Sequence, residues 1–397
     1  MEKNLLMIKK KKILWPYYNN KTIKKISSIL RSGRVNSWSG EQVKSFEKEY
    51  SKYFNNKYSI AVSNGTVALE ASIKALGFKN NDEIIVTARS FFASASCILM
   101  NQCIPIFADV NLLSQNIDLS QIKKVITKKT RAIICVHLSG WPCEMNPIKK
   151  FAKEKDIYLI EDCSQAHGAY IDGKSVGSFG DISIWSFCQD KIISTSGEGG
   201  MISCNSQTIW KKLKSYKDHG KNFQKINNQK SNLFYNYVHD DIGTNIRMTE
   251  IQAATGRIQL KYLKTWIKKR NTNANYIINY VKKNIYALRA PEPKKNIIHA
   301  YYRLYVFVEK YKLKKNWNRN KILLNLQNLN IVCFAGNCPE IYLEKSMVNY
   351  RPKVRLINSK LLGETSICFP IHPFQTSLEL KTIVKGLDLI MKKATNR

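Results

Sequence analysis

Between residues 58 and 204 the chain repeats one rhythm, a short and almost wholly apolar run followed by a stretch with apolar residues three and four apart. The runs YSIAVS, EIIVTA, IPIFADV, AIICVHL and IYLIED carry too few polar positions for half-exposed strands, so they read as strands covered on both faces. Between them, 66–76, 94–101, 119–126 and 145–155 read as helices. Alternation of this kind predicts a mostly parallel sheet wound on both sides. The strands ISIWSF and MISCN follow, and then a polar stretch over 219–241, rich in Asn and Lys, reads as a long loop. Apolar positions at Ile251, Ala254, Ile258, Leu260, Leu263 and Ile267 predict one long helix over about 248–283, bridging to a smaller unit. Past Pro291 and Pro293, the strand YRLYVFV and helices over 317–329 and 378–393 predict an α+β unit. The expected division is an N-terminal segment 1–35, a large domain 36–265 and a small domain 266–397.

With 397 residues, 44% of them hydrophobic and 11% aromatic, the chain is long enough for two or three sizeable cores. No run approaches the roughly 18 apolar residues of a membrane span. The start MEKNLLMIKKKKILW has the wrong length and charge order for a secretory signal, so a cytoplasmic location is expected. The ten cysteines stand singly and the six histidines form no ligand spacing, which argues for reduced thiols and against a metal site. A formal charge of +35 raises the question of polyanion binding. The lysines, however, are spread evenly in company with Asn and Ile, as an A/T-rich coding bias would leave them, and no specific nucleic-acid partner is expected.

Chemistry concentrates at the predicted strand ends, where open α/β sheets gather their ligands. Lys191 stands between the strand ISIWSF and the loop TSGEGG, a setting that suits an amine reacting with an aldehyde. Asp162 ends IYLIED, where its carboxylate is either an acid for a ring nitrogen or a turn residue. Gln165 and His167 follow it in EDCSQAHGA, as site residues or as partners of the turn. In VSNGTVAL, Gly65 and Thr66 open a helix whose first amides suit a phosphate, and Ser186 adds a hydroxyl. Phe91, in ARSFFAS, is either a flat contact for a ring or a core aromatic. Together these supply what a phosphorylated pyridine aldehyde needs from a protein.

The ordered set SNGTVAL, ARSFFASAS, EDCSQAHGA, SFCQDKIISTSGEGGM and GTNIRMTEIQAATGRIQL resembles the DegT/StrS family of pyridoxal-phosphate-dependent sugar aminotransferases. The resemblance runs from about Trp15 to the last helix and weakens after Pro291. It implies the α/β architecture of fold-type-I transferases, with a mostly parallel seven-stranded sheet and a smaller C-terminal domain. It also implies a homodimer with shared active sites, and transfer of an amino group from glutamate or glutamine to a nucleotide-linked keto-sugar for lipopolysaccharide, O-antigen or another surface glycan. Carried over by position, Lys191 is the Schiff-base lysine, Asp162 the partner of the ring nitrogen and Gln165 a cofactor contact. Gly65, Thr66 and Ser186 fall on phosphate positions, Phe91 on the stacking position, and Asn245 on an asparagine offered to the phosphate in the other subunit. Ser196 stands where the family often has Gly or Ala, and Ile246 where it has an aromatic, which leaves the substrate contacts near Ile246 undefined. A dehydratase branch on the same fold has histidine at the lysine position, so Lys191 favours the aminotransferase over it and over a catalytically silent sugar-binding homologue.

Overall fold

The computed structural model describes residues 15–227 and 237–396. Five strands come in the expected order: β1 (Tyr58–Val62), β2 (Glu83–Thr87), β3 (Ile104–Ala108), β4 (Thr130–Val136) and β5 (Tyr158–Asp162). A tight hairpin, β6 (Tyr170–Ile171) and β7 (Lys174–Ser175), precedes β8 (Ile182–Ser186) and β9 (Gly200–Cys204). The large sheet has seven strands in the order β1-β9-β8-β5-β4-β2-β3. Only β9 runs against its neighbours, pairing antiparallel with both β1 and β8. Its first residue, Gly200, therefore lies at the edge where the parallel strands end, and the glycine-rich turn before it is delivered to that edge.

Both faces of the sheet are buried, as the apolar runs require. On β2, Ile84 and Val86 enter one core while Ile85 enters the opposite one, and on β4 Ile134 and Ile133 divide the same way. The Trp185, Phe187 and Met201 side chains build a third core with Phe46, Tyr50 and Phe54 of the helix Gln42–Phe54.

The smaller unit contains β10 (Leu288–Arg289), β11 (Ile297–Ile298), β12 (Arg303–Val308) and β13 (Ser366–Pro370). Strands β10, β12 and β13 form an antiparallel sheet, whereas β11 pairs with β6 and ties the connection to the large unit. The helices Leu263–Asn284 and Ser377–Ala394 share a core with this sheet through Ile277, Ile278, Val306, Ile367 and Leu387.

Two sequence expectations need correction. The bridging helix over 248–283 is two helices, Glu250–Leu260 and Leu263–Asn284. Thr249 and Gln252 cap the first reciprocally, which sets its start. At its end the Tyr262 amide bonds Gln259 O at 2.9 Å, a tightened three-residue turn that interrupts the regular ladder. The loop over 219–241 holds a short helix, Phe223–Asn227, and its described ends are joined by Asn222 N to Val238 O at 2.7 Å. The rest of it, 228–236, lies outside the described residues, as do the lysine-rich start and its expected lack of a signal. Among the described residues, no helix is long and apolar enough to cross a membrane.

Candidate active site

The candidate residues meet at the edge where the parallel strands end. Asn64 caps the helix Gly65–Leu76, its side chain accepting from Val67 N at 3.0 Å. The helix therefore starts three residues after the end of β1, and an anion at such a start is favoured by the helix dipole and its first amides. Gly65 lies directly against Ser186: a Cβ built on it would stand 2.7 Å from the Ser186 Cβ. A Cβ on Gly200 would come within 2.3 Å of Asn64 O, so two glycines permit the close meeting of helix start, β8 and β9. Thr66 is half-buried beside them. The turn before β9 is strained at Ser196, with φ 66°, whereas Gly197 takes φ 118° freely; the Ser196 hydroxyl is held 2.9 Å from Thr255 Oγ1, which helps a non-glycine residue stay in the left-handed region.

Asp162 ends β5 and is 6% exposed. Its Oδ1 accepts from Ser164 N at 3.0 Å. Burial pushes its carboxyl above the usual carboxylate range, opposed by the Ser164 hydrogen bonds and the positive charge of Lys191. Gln165 is buried, with Oε1 committed to Ser139 N at 2.7 Å, which leaves its amide nitrogen as the donor end. Phe91 stands at 65% exposure just after β2, which excludes the core-aromatic alternative for it.

Lys191 follows β8 in a turn, its main chain fixed by Trp15 Nε1 donating to Lys191 O at 3.0 Å. Its amine packs against Tyr302, 3.4 Å from the phenol oxygen and 4.5 Å from the ring centre. Desolvation lowers its pKa, while the negative charges of Asp190 and Asp162 oppose the fall and Arg303 adds to it. A lysine held this way reaches its neutral, nucleophilic form more readily than a surface lysine.

Other expectations fare differently. His167 is fully buried against Trp185 and Phe187 with neither ring nitrogen hydrogen-bonded, and burial lowers its pKa to about 3; it is a neutral core side chain. Ile246 is buried in the core behind the sheet. Asn245 is itself exposed and is bridged to Asp218, with its Oδ1 accepting from Arg247 N at 3.4 Å; the two residues after it are tied to the end of β1 through the Val62–Arg247 bridge and Ser63 N to Ile246 O at 2.9 Å, two positions before Gly65. Three side chains with ligand atoms, His137, Glu161 and Cys163, do meet in the core. There the Glu161 carboxylate accepts from the amides of Gly177, Phe179 and Gly180 at 2.6–2.8 Å, the bonding of a structural carboxylate. Sequence reading missed Trp15, Asp190, Tyr302 and Arg303. Asp190 sat in plain view beside Lys191, whereas Tyr302 lay among the aromatics of a strand and carried no signal of its own.

A mostly parallel α/β sheet with a small C-terminal unit is the architecture of a large class of aminotransferases, and the comparisons agree. Residues 16–388 match the DegT/DnrJ/EryC1/StrS aminotransferase family, and the chain belongs to it. It is 34% identical over 331 residues to the GDP-perosamine synthase of Escherichia coli O157:H7, covering 83% of this chain and 86% of that one. A crystal structure of an aminotransferase from Psychrobacter cryohalolentis superposes with a TM-score of 0.93 at 42% identity, covering 96% of this chain and 98% of that one. The E. coli GDP-4-keto-6-deoxy-D-mannose-3-dehydratase with bound hydrated PLP superposes with a TM-score of 0.84 at 26% identity, covering 94% and 97%.

Proposed function

We propose that this protein is a pyridoxal-phosphate-dependent aminotransferase that moves an amino group from glutamate or glutamine to a keto-sugar carried by a nucleoside diphosphate. It would work in the cytoplasm as a homodimer and supply amino sugars for lipopolysaccharide, O-antigen or another surface glycan. The large domain, 36–265, binds the cofactor and the small domain, 266–397, closes the site. One observation carries the reading: a lysine amine drawn out of solvent and a buried carboxylate follow the neighbouring strands β8 and β5, and the charge of each bears on the other.

The residues fit the cofactor. Gly65 lets the helix start close directly on Ser186, and the helix start, Thr66 and Ser186 together offer donors for a phosphate. Asp162 would pair with the ring nitrogen, and a positive partner there would offset the cost of its buried charge. Gln165 would donate to the ring oxygen, Phe91 would lie on the ring face, and Asn245 would serve the phosphate of the other subunit. Bound pyridoxal phosphate supplies an electron sink for the carbon that loses its proton. The chain's own contribution at that carbon is Lys191, whose neutral Nζ takes the α-proton of the donor and returns a proton to the sugar carbon in the second half of the cycle. Lysine at this position supports the aminotransferase over the dehydratase chemistry named for the E. coli relative.

Adding pyridoxal phosphate, reducing with borohydride and sequencing peptides should place one pyridoxyl mass on Lys191. Keto-sugar nucleotides carrying GDP, UDP or dTDP, offered with glutamate or glutamine, should then yield an amino sugar and a stoichiometric keto acid from one pairing. Labelling at another lysine, or normal turnover by Lys191→Ala, would refute the assignment.

A further inference from the structure

We propose that Tyr302, held in place by Asp190 and Arg303, is a positioning residue that stations the free amine of Lys191. The inference rests on the reading of Lys191 given above and adds to it where the amine waits when no substrate or cofactor carbon holds it. Tyr302 is 5% exposed and its phenol makes three contacts. It donates its proton to the Asp190 carboxylate. Arg303 Nη2 reaches both partners, 3.1 Å from the phenol oxygen and 3.0 Å from Asp190 Oδ2. Lys191 Nζ lies 3.4 Å from the same phenol oxygen.

A phenol has one proton to give, and here Asp190 receives it. Towards Lys191 the oxygen therefore acts only as an acceptor, and the lysine must be the donor. That favours the protonated amine at this station, while burial opposes it. The groups whose charges bear on Lys191 come from three directions. Asp190 and Cys188 lie in its own loop, Asp162 at the end of β5, and Arg303 on β12 beside Tyr302; His167 also senses the lysine charge from the core. Trp15 Nε1 fixes the lysine carbonyl, so the side chain moves about a pinned backbone. When the amine gives up its proton, its hold on the phenol oxygen weakens and it is released towards the strand ends.

Tyr302→Phe keeps the ring and its volume and removes the acceptor. Asp190→Asn keeps the packing and removes the charge that orients the phenol. The readout is Lys191 itself in full-length, cofactor-free protein: trace acetylation by acetic anhydride across a pH series, with each lysine peptide quantified by mass spectrometry. Both variants should bring Lys191 to its neutral form at lower pH, raising its labelling near neutrality by about 3–10-fold, the scale of a shift of up to one pKa unit, while the other lysines keep their wild-type profiles. Lys191 profiles identical to wild type in both variants overturn the proposal, as does a shift towards higher pH. Because the labelling needs neither cofactor nor sugar, it is independent of transamination: a wild-type protein that fails to transaminate removes the proposed function and leaves this measurement standing.

Discussion

At the scale of single residues, the site sets stability against function at Asp162. Its carboxyl is buried and its pKa is raised by desolvation, so the folded protein holds the proton to higher pH than the unfolded chain does. Over the interval between the two pKa values, and above it, ionisation costs folding free energy. Asp162→Asn cannot ionise and keeps an oxygen for the Ser164 amide. Cofactor-free Asp162→Asn should therefore melt no lower than wild type near neutral pH, and higher by about 1–2 °C on the usual scaling for a sub-kcal/mol gain. Pyridoxal phosphate should raise the melting temperature of the variant less than that of wild type, because the bound ring nitrogen has lost its counter-charge; turnover should fall by orders of magnitude. Differential scanning fluorimetry with and without cofactor checks both halves. The placement of Gly65, Asp162, Ser186 and Lys191 at one edge of the sheet was legible in the sequence, because each ends or follows an apolar run and strand ends converge once the strands are parallel. Tyr302 and Arg303 were not, because nothing local shows that residues more than a hundred positions from Lys191 fold over it.

Elements show the same contrast. The parallel strands were legible because both-face burial writes an uninterrupted apolar run, as in EIIVTA and IYLIED. Strand β13 (Ser366–Pro370) escaped notice: its five residues, SICFP, follow a helix directly and mix polar and apolar types. The helices Asn20–Ser32 and Gln42–Phe54 were also missed, and the second shows why. The residue at its N-cap position, Glu41, provides no side-chain cap. The cap comes from Glu250, whose buried carboxylate accepts from Gln42 N at 2.6 Å and Val43 N at 3.0 Å. Gly40 leaves room for it, since a Cβ there would stand 2.1 Å from Glu250 Oε2. A cap supplied from two hundred residues away leaves no trace in the helix's own sequence. Arg257 fastens the same pair of helices through Glu49, with its Nη1 2.7 Å from Gln42 Oε1, and Phe46 packs where Gly256 has no side chain. Glu250→Ala should cost about 2–4 kcal/mol, the loss of charge-assisted bonds to one buried and one partly buried amide. Glu250→Gln should cost less, because one acceptor remains. Urea titrations with an unchanged slope and a lowered midpoint would register the loss; a midpoint at the wild-type value in Glu250→Ala would show that the distant cap contributes nothing.

For the whole molecule, the open question is whether one chain completes its own site. Phe91 is largely exposed, and Asn245 is exposed with a backbone contact, Arg247 N, for its side-chain oxygen. If Phe91 stacks on a ring and Asn245 serves a phosphate, as proposed, their exposure fits a site that a second copy would finish. If each site joins Lys191 of one subunit to Asn245 of the other, Lys191→Ala and Asn245→Ala damage complementary halves. In a mixed dimer, one site carries both lesions and the other carries neither. Equal amounts of the two variants, unfolded and refolded together, should give mixed dimers in about half of the molecules and native sites at about a quarter of all positions. Turnover should rise from the low values of the separate variants to about a quarter of wild type and titrate with mixing ratio. If Asn245 instead serves the site of its own chain, every site in the mixture keeps one lesion and mixing restores nothing. Turnover in the mixed sample, measured beside the two variants refolded alone, thus decides whether the segment around Asn245 belongs to a neighbour's active site.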